Sequence, residues 1–431
     1  MLAVFSKLRK HLLQGRIFYG WWLAGAGMIG GTMSGLFLGF GFSAFFLPIQ
    51  EDLGASRVAL SAAFSLSQLE AGIAGPLNGY LIDRLGPRKI MTMGYLLFGV
   101  GFLLMSLVQS IYTFYAAYII LAIGSSLSGF LPISAAMTNW FRRRRAIAVG
   151  ISGSGEGLGG ILVPLLALSI VSFGWRTTAM AIAPIVLMLG LVLASFFYSR
   201  PEDVGLMPDG DPSDGPPEEP SGRQGSPSPE EPSFTTWQAL RTSAFWLVAA
   251  AHSLTLVMVT GVNIHQIPAF VSVGLSLNTA AIVLSVNTAC TVVGRLVFGF
   301  LGDYLNRQYA LAGCFLLQAV GILVLAFADS LGMALVFAVL YGFAFGGRGP
   351  LLISIRGDFF GRRSFATIMG MSQTVLMVGT IAGPVFAGWV YDTTSSYSSA
   401  FLVMAAINVF AIVLLLAARK PVMPSKAVES P

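Results

Sequence analysis

The strongest constraint on this chain is a succession of long stretches almost empty of charge, running from end to end. Twelve are distinguishable, at about 20–48, 56–82, 89–109, 112–139, 146–173, 177–198, 244–271, 278–302, 309–328, 331–355, 365–390 and 398–418. At about 1.5 Å per helical residue, each is long enough to cross a hydrocarbon layer of about 30 Å. Only 10% of the 431 residues are charged and 55% are hydrophobic. Soluble domains carry roughly 25% charged residues, so this chain cannot coat itself against water. The expectation is an all-α integral membrane protein with 12 transmembrane helices.

The positive charges support that count. With a cytoplasmic N-terminus and alternating sides, Lys7, Arg9, Lys10, Arg16, Arg84, Arg88, Lys89, Arg142 to Arg145, Arg200, Arg223, Arg241, Arg307, Arg356, Arg362, Arg363, Arg419, Lys420 and Lys426 fall inside. Arg57 and Arg176 fall outside, and Arg295 and Arg348 fall within helices. This is the positive-inside asymmetry. It places both termini in the cytoplasm and explains the net charge of +6 without nucleic acid. Residues 1–17 are basic and amphipathic, as in a helix lying on the membrane surface. The apolar run after them is too long for a signal peptide.

Residues 200–236 are rich in Pro, Gly, Ser and acids and divide six runs from six. They predict a flexible cytoplasmic linker between a half at 18–199 and a half at 237–420, with a tail at 421–431. The halves share landmarks at one spacing. Asp83, Arg142 and Arg143, Gly150 and Pro164 recur 220 residues on as Asp303, Arg362 and Arg363, Gly370 and Pro384. A duplicated six-helix unit accounts for this, and such repeats commonly place a substrate site at their interface near the bilayer midplane.

"GYLIDRLGPRK" (79–89) and its degenerate copy "GFLGDYLNRQ" resemble the signature loops of the major facilitator superfamily. "YGWW" (19–22), "RPEDVGLMPDG" (200–210), "HQIPAF" (265–270), "VGRLVFGFLGD" (293–303) and "FGGRGPLLISIRGDFFGRR" (345–363) are similar to bacterial monocarboxylate-transporter-like members near the oxalate/formate antiporters. The resemblance implies two six-helix halves working by alternating access in a bacterial inner membrane. It also implies a cytoplasmic latch formed by Asp83, Arg84, Arg88 and Asp303. Without the resemblance, the same charges read simply as markers of topology.

Ionisable groups inside membrane helices are costly and therefore functional candidates. Glu70, Glu156, Arg295, His252, His265 and Arg348 are the set. Arg295 fits a carboxylate bidentately, and it stands where the resemblance puts the substrate-holding arginine of helix 8. The fold it implies brings helices 5 and 8 together, so Glu156 is expected to pair switchably with Arg295. Relatives carry an acid seven residues after the helix-7 histidine. Here that position is Ser272, leaving Glu156, Glu70 and His265 as proton-coupling candidates. His265, Asn263, Gln266, Tyr341 and Gln373 complete the expected substrate contacts. Glu70 either lines the cavity or bonds to Ser67, Gln68 or the region of Gln373. His252 reads as structural, and Arg348 as snorkelling near the cytoplasmic face. Phe37, Phe40, Phe45, Phe46, Tyr341, Phe343 and Phe345 are expected to make an apolar cavity wall, which with one arginine suits a small organic anion better than a sugar.

"GSGEGLGG" (153–160) contains G-x-G-x-x-G, the dinucleotide pattern. The context fails: after Glu156 the next acid is Glu202, far beyond the spacing of about 20 residues required. Gly153 with Gly157, and Gly155 with Gly159, instead fit close packing of membrane helices. Cys290 and Cys314 show no metal-ligand spacing. No Walker A motif or nucleophile–base pair is present, so neither an enzyme nor a cofactor is expected. The resulting expectation is a monomeric transporter of a small organic anion, a monocarboxylate, coupled to protons. Its alternative is a carboxylate/carboxylate antiporter.

Overall fold

The structure is a computed structural model that describes residues 17–55, 57–211 and 234–422. All but the last residue of the expected surface helix at 1–17, most of the 200–236 linker and most of the 421–431 tail lie outside the described residues. The helices are α1 (Tyr19–Ser34), α2 (Phe42–Leu53), α3 (Arg57–Leu85), α4 (Pro87–Ser106), α5 (Ile111–Ser128), α6 (Phe130–Trp140), α7 (Arg145–Phe173) and α8 (Trp175–Phe196). After the linker come the short α9 (Thr236–Leu240), then α10 (Ser243–Ser272), α11 (Leu277–Tyr304), α12 (Arg307–Ala326), α13 (Leu331–Phe360), α14 (Phe365–Thr394) and α15 (Ser398–Ala417).

The twelve runs become twelve crossings, two of them interrupted. A π-turn at Gly35–Gly39 joins α1 to α2, and Gly129 separates α5 from α6. Among the described residues, 11 helices are long and apolar enough to span a membrane. The twelfth crossing, α3, has 29 residues, but Glu70, Asn78, Asp83 and Arg84 dilute its apolar character. The chain is therefore an all-helical, multi-pass membrane protein. Gly86, at φ +82°, turns the chain between α3 and α4 ahead of Pro87 at the first position of α4. Glycine tolerates the positive φ and proline suits a helix start.

Packing follows the duplication. In the first half α7 lies on α1, and α4 packs between α5 and α8. In the second half α14 lies on α10, and α12 packs between α13 and α15. The halves meet through α3 on α14 and α7 on α11, two crossings that exchange under the 220-residue repeat.

Glycines set the closeness of those crossings. On α7, Gly155 abuts the Met28 carbonyl and Gly159 the main chain of Thr32 and Leu36, while Gly153 and Gly157 face Arg295 and Val292 of α11. The four-residue pairs thus serve two different neighbours. Gly155→Ala drives a methyl into backbone that no rotamer change can relieve. It is expected to destabilise the protein by about 1–3 kcal/mol, read as a lowered Tm in detergent. Gly25→Ala, whose added methyl meets nothing within 4 Å, is the control and should not lower it.

Candidate functional site

At the arginine-rich face the halves are joined by two equivalent caps. The first residues of a helix present N–H groups without intrahelical acceptors, at the positive end of the helix dipole. Asp83, at the end of α3, accepts from Ala366 N (3.2 Å), Thr367 N (2.8 Å) and Thr367 Oγ1 (2.6 Å) at the start of α14. Asp303, at the end of α11, accepts from Ala146 N (2.8 Å) and Ile147 N (3.0 Å) at the start of α7. Ala146 and Ile147 lie 220 residues before Ala366 and Thr367. Each acid therefore caps, in the opposite half, the duplicate of the helix that its own counterpart caps.

The other two expected latch residues do not join this contact. Arg84 is exposed and donates to Tyr80 OH on its own helix (2.9 Å), and Arg88 is exposed at the start of α4. Both side chains lie on the exposed side of their helices, away from the face of α3 that packs on α14. Other charges cross instead. Arg307 reaches across to the Arg143 carbonyl (3.3 Å) while, within its own half, it donates to both oxygens of Asp358 (2.6 and 2.7 Å) and to Asp303 (3.0 Å). Buried Arg145 of the first half donates to Asp358 (2.9 Å). Arg362 donates to the Asn139 carbonyl (2.7 Å) and to Glu202 (3.0 Å). Sequence reading treated these arginines as positive-inside markers. Folding gives them partners, within the second half for Arg307 and across the halves for Arg145 and Arg362.

The start of the linker also departs from expectation. Residues 200–211 are ordered, with 3-10 turns at Pro201–Val204 and Pro208–Gly210. Asp209 accepts from the main-chain N–H of Arg142, Arg143 and Arg144 (2.9, 2.9 and 3.2 Å). Three hydrogen bonds and local positive charge outweigh the disorder that the composition favours. Asp209→Ala should cost about 1 kcal/mol, as loss of a helix cap does, and should hasten protease cleavage within 200–236. An unchanged cleavage rate would mean the docking is not held by Asp209.

Above this closed face lies a cavity of about 440 Å³ between α1, α3, α5, α6 and α7, with Gln373 of α14 contributing. Glu70, Glu156 and Gln373 line it together, beside Ser34, Ser152 and Tyr118. Oε1 of Glu70 is buried without a hydrogen-bond partner in the protein. Thr374 Oγ1 donates to the Gly72 carbonyl (2.9 Å), tying α14 to α3 near Glu70. None of the aromatics expected to wall this cavity lines it. Phe37 and Phe45 line a separate small pocket, and Tyr341 is fully buried, stacked between Phe337 and Phe345. Serines, glycines and two carboxylates share the wall with Leu38, Phe130, Leu131, Ile133 and Val149.

Arg295 stands at the seam between the halves, and its Nη1 donates to the carbonyl of Gly153, a cavity-lining residue. Among the described residues no ion pair joins it to Glu156, so the expected pair is not made in this conformation. Glu156 lies one turn farther along α7, facing the cavity. The α10 candidates lie elsewhere. His265 bonds Tyr397 OH (3.3 Å) and the Pro384 carbonyl (3.1 Å). Asn263 is exposed and Gln266 is buried, and none of the three lines the cavity. The helical period turns this stretch toward α14 and the α14–α15 turn.

Two further expectations change. Arg348 is buried, not snorkelling, because α13 continues to Phe360 and leaves it about 18 Å from that end. Arg356, assigned to the cytoplasmic side, is fully buried in the same helix and donates to Nδ1 of His252 (3.2 Å).

Comparison with known proteins places these features. The family model described as Major Facilitator Superfamily matches residues 23–272 and 253–431. Monocarboxylate transporter 12 of Rattus norvegicus is 26% identical over 371 residues, covering 80% of this chain and 74% of its own length. The oxalate:formate antiporter of Oxalobacter formigenes is 25% identical over 377 residues, covering 85% and 84%. Among solved structures, the proton:xylose symporter XylE aligns with a TM-score of 0.71 at 14% identity, over 93% of this chain and 95% of its own. At that identity the likeness speaks for the fold alone.

Proposed function

This chain belongs to the Major Facilitator Superfamily, and we propose that, as a transporter of that family, it moves a small monocarboxylate together with protons. The single observation that carries the reading is the meeting of Glu70 and Glu156 in one cavity whose wall also holds the Gly153 carbonyl bound by Arg295. An organic anion entering a cavity with two carboxylates is repelled while both are charged. Protonation removes that repulsion and leaves Arg295 as the attracting group. Proton and anion then load favourably only together, which is the logic of symport. The names of the relatives, monocarboxylate transporters and an oxalate:formate antiporter, support a carboxylate as cargo.

In this reading the arginine-rich face is cytoplasmic, both termini lie there, and the membrane is the plasma membrane. The caps at Asp83 and Asp303 then close the inner gate, and the cavity belongs to the outward-facing state.

The test uses proteoliposomes and labelled pyruvate or lactate. Wild-type uptake should rise with an inward proton gradient and collapse with a protonophore. Glu70→Gln or Glu156→Gln should lose the gradient dependence while retaining exchange of internal for external substrate. Wild-type uptake that ignores the gradient but accelerates with carboxylate preloaded on the far side would replace symport with the antiport alternative. That alternative is favoured by the similarity to the oxalate:formate antiporter.

A further inference from the structure

Among the described residues, the second half buries two arginines that make no ion pair with an acid. Arg348 and Arg356 stand eight residues apart on α13, so they share one stripe of the helix, and both side chains are more than nine-tenths buried. Nε and Nη1 of Arg348 and Nη1 of Arg356 have no hydrogen-bond partner in the protein. The bond that Arg356 does make is to His252, a neutral or positive ring, never an anion. Arg348 rests over the Phe345 ring, its guanidinium carbon 5.1 Å from the centroid. Asp358, the acid nearest in sequence, is engaged by Arg145 and Arg307.

The surroundings add donors and no carboxylate. Cys314 of α12 is buried within electrostatic range of Arg348. Gln318, one turn along the same helix, is fully buried with both amide atoms unpartnered. Arg295 and Arg356 are each close enough to Arg348 to repel it. Buried charge is tolerated when paired, and among the described residues this cluster has no pairing acid. A buried guanidinium whose N–H groups lack acceptors is suited to a small oxyanion.

We propose that Arg348, Arg356 and His252 form a second anion-binding site, enclosed in the C-terminal half and built for a small carboxylate. Arg348 lies at about the depth of Arg295 and Arg356 about 12 Å nearer the arginine-rich face. The site therefore follows Arg295 on the way to that face, and the closed latch seals it. It rests on the transport reading in taking the transported anion as its occupant. An anion handed from Arg295 to Arg348 exchanges one guanidinium for another without crossing the membrane core unpaired.

The test is thermal unfolding of the purified full-length protein in detergent, titrated with sodium formate against sodium gluconate at constant ionic strength. Formate should stabilise wild type and Arg295→Gln. In Arg348→Gln and in Arg356→Gln the same stabilisation should require at least about tenfold more formate, or vanish, a tenfold change in affinity being the expected minimum for one lost guanidinium. Arg348→Lys, which keeps the charge and loses the fork, should fall between. Each glutamine removes a buried unpaired charge, so the variants should fold. Equal stabilisation of wild type and both glutamine variants overturns the site, as does no stabilisation of wild type or a response lost entirely with Arg295→Gln. Failure of the transport reading shows separately, as absence of carboxylate uptake by wild-type proteoliposomes.

Discussion

Arg295→Ala is expected to raise the KM for carboxylate uptake roughly 150-fold, the equivalent of about 3 kcal/mol for a charge pair that loses one partner. Arg295 is the guanidinium that touches the cavity wall from the opposing half, through the Gly153 carbonyl. A carbonyl is a weak partner for a full charge, so an incoming carboxylate exchanges it for a stronger one. Arg295→Lys should recover only part of the loss, because an ammonium cannot make the parallel two-bond fork. A KM for Arg295→Ala within about threefold of wild type, well under one factor of ten or 1.4 kcal/mol, would remove Arg295 from the substrate path. The same variants, assayed for thermal stability, separate binding from folding.

The second large effect concerns the latch. Asp83→Ala combined with Asp303→Ala leaves four helix-start N–H groups without the acceptors they have here. It also strips Arg307 of one of its two acids. A lost cap costs about 1 kcal/mol and a charge-assisted bond somewhat more, so the closed face should lose about 3–4 kcal/mol. A conformational equilibrium moves more than a hundredfold under such a bias. With Cys290 and Cys314 replaced, Ser152→Cys in the cavity wall reports access from the arginine-rich face to an impermeant thiol reagent. Labelling from that face should accelerate more than tenfold in the double variant and less in either single variant. Unchanged labelling would show that the caps do not hold this face shut.

The fold was legible in particular residues. Charge-free length gave the crossings, and Asp83 with Asp303 at a constant spacing gave the duplication. The alternation of Gly153, Gly155, Gly157 and Gly159 gave a helix in contact on two sides, with α1 and α11 as the actual neighbours. The site was legible only in part. Glu70, Glu156 and Gln373 do meet, but His265, Asn263, Gln266 and Tyr341 face elsewhere, and Arg84 and Arg88 point to solvent. Long helices carry many polar residues at similar depth, and a small error in rotation about the helix axis exchanges a cavity face for a packed one. Residues 200–211 depart from what their composition favours for a related reason. Composition reports whether a segment can fold alone, whereas Asp209 is ordered by N–H groups of another segment.

The sequence by itself determined that this chain crosses the membrane repeatedly as two related halves, because hydrophobic length and charge asymmetry are local properties that lipid reads directly. Only the tertiary structure decided which charges find partners. The free energy of a buried arginine or aspartate depends on which atoms from distant segments come within about 3 Å. Asp83 and Asp303 became helix caps, and Arg348 and Arg356 were left without a pairing acid among the described residues, by the way distant segments were set against each other.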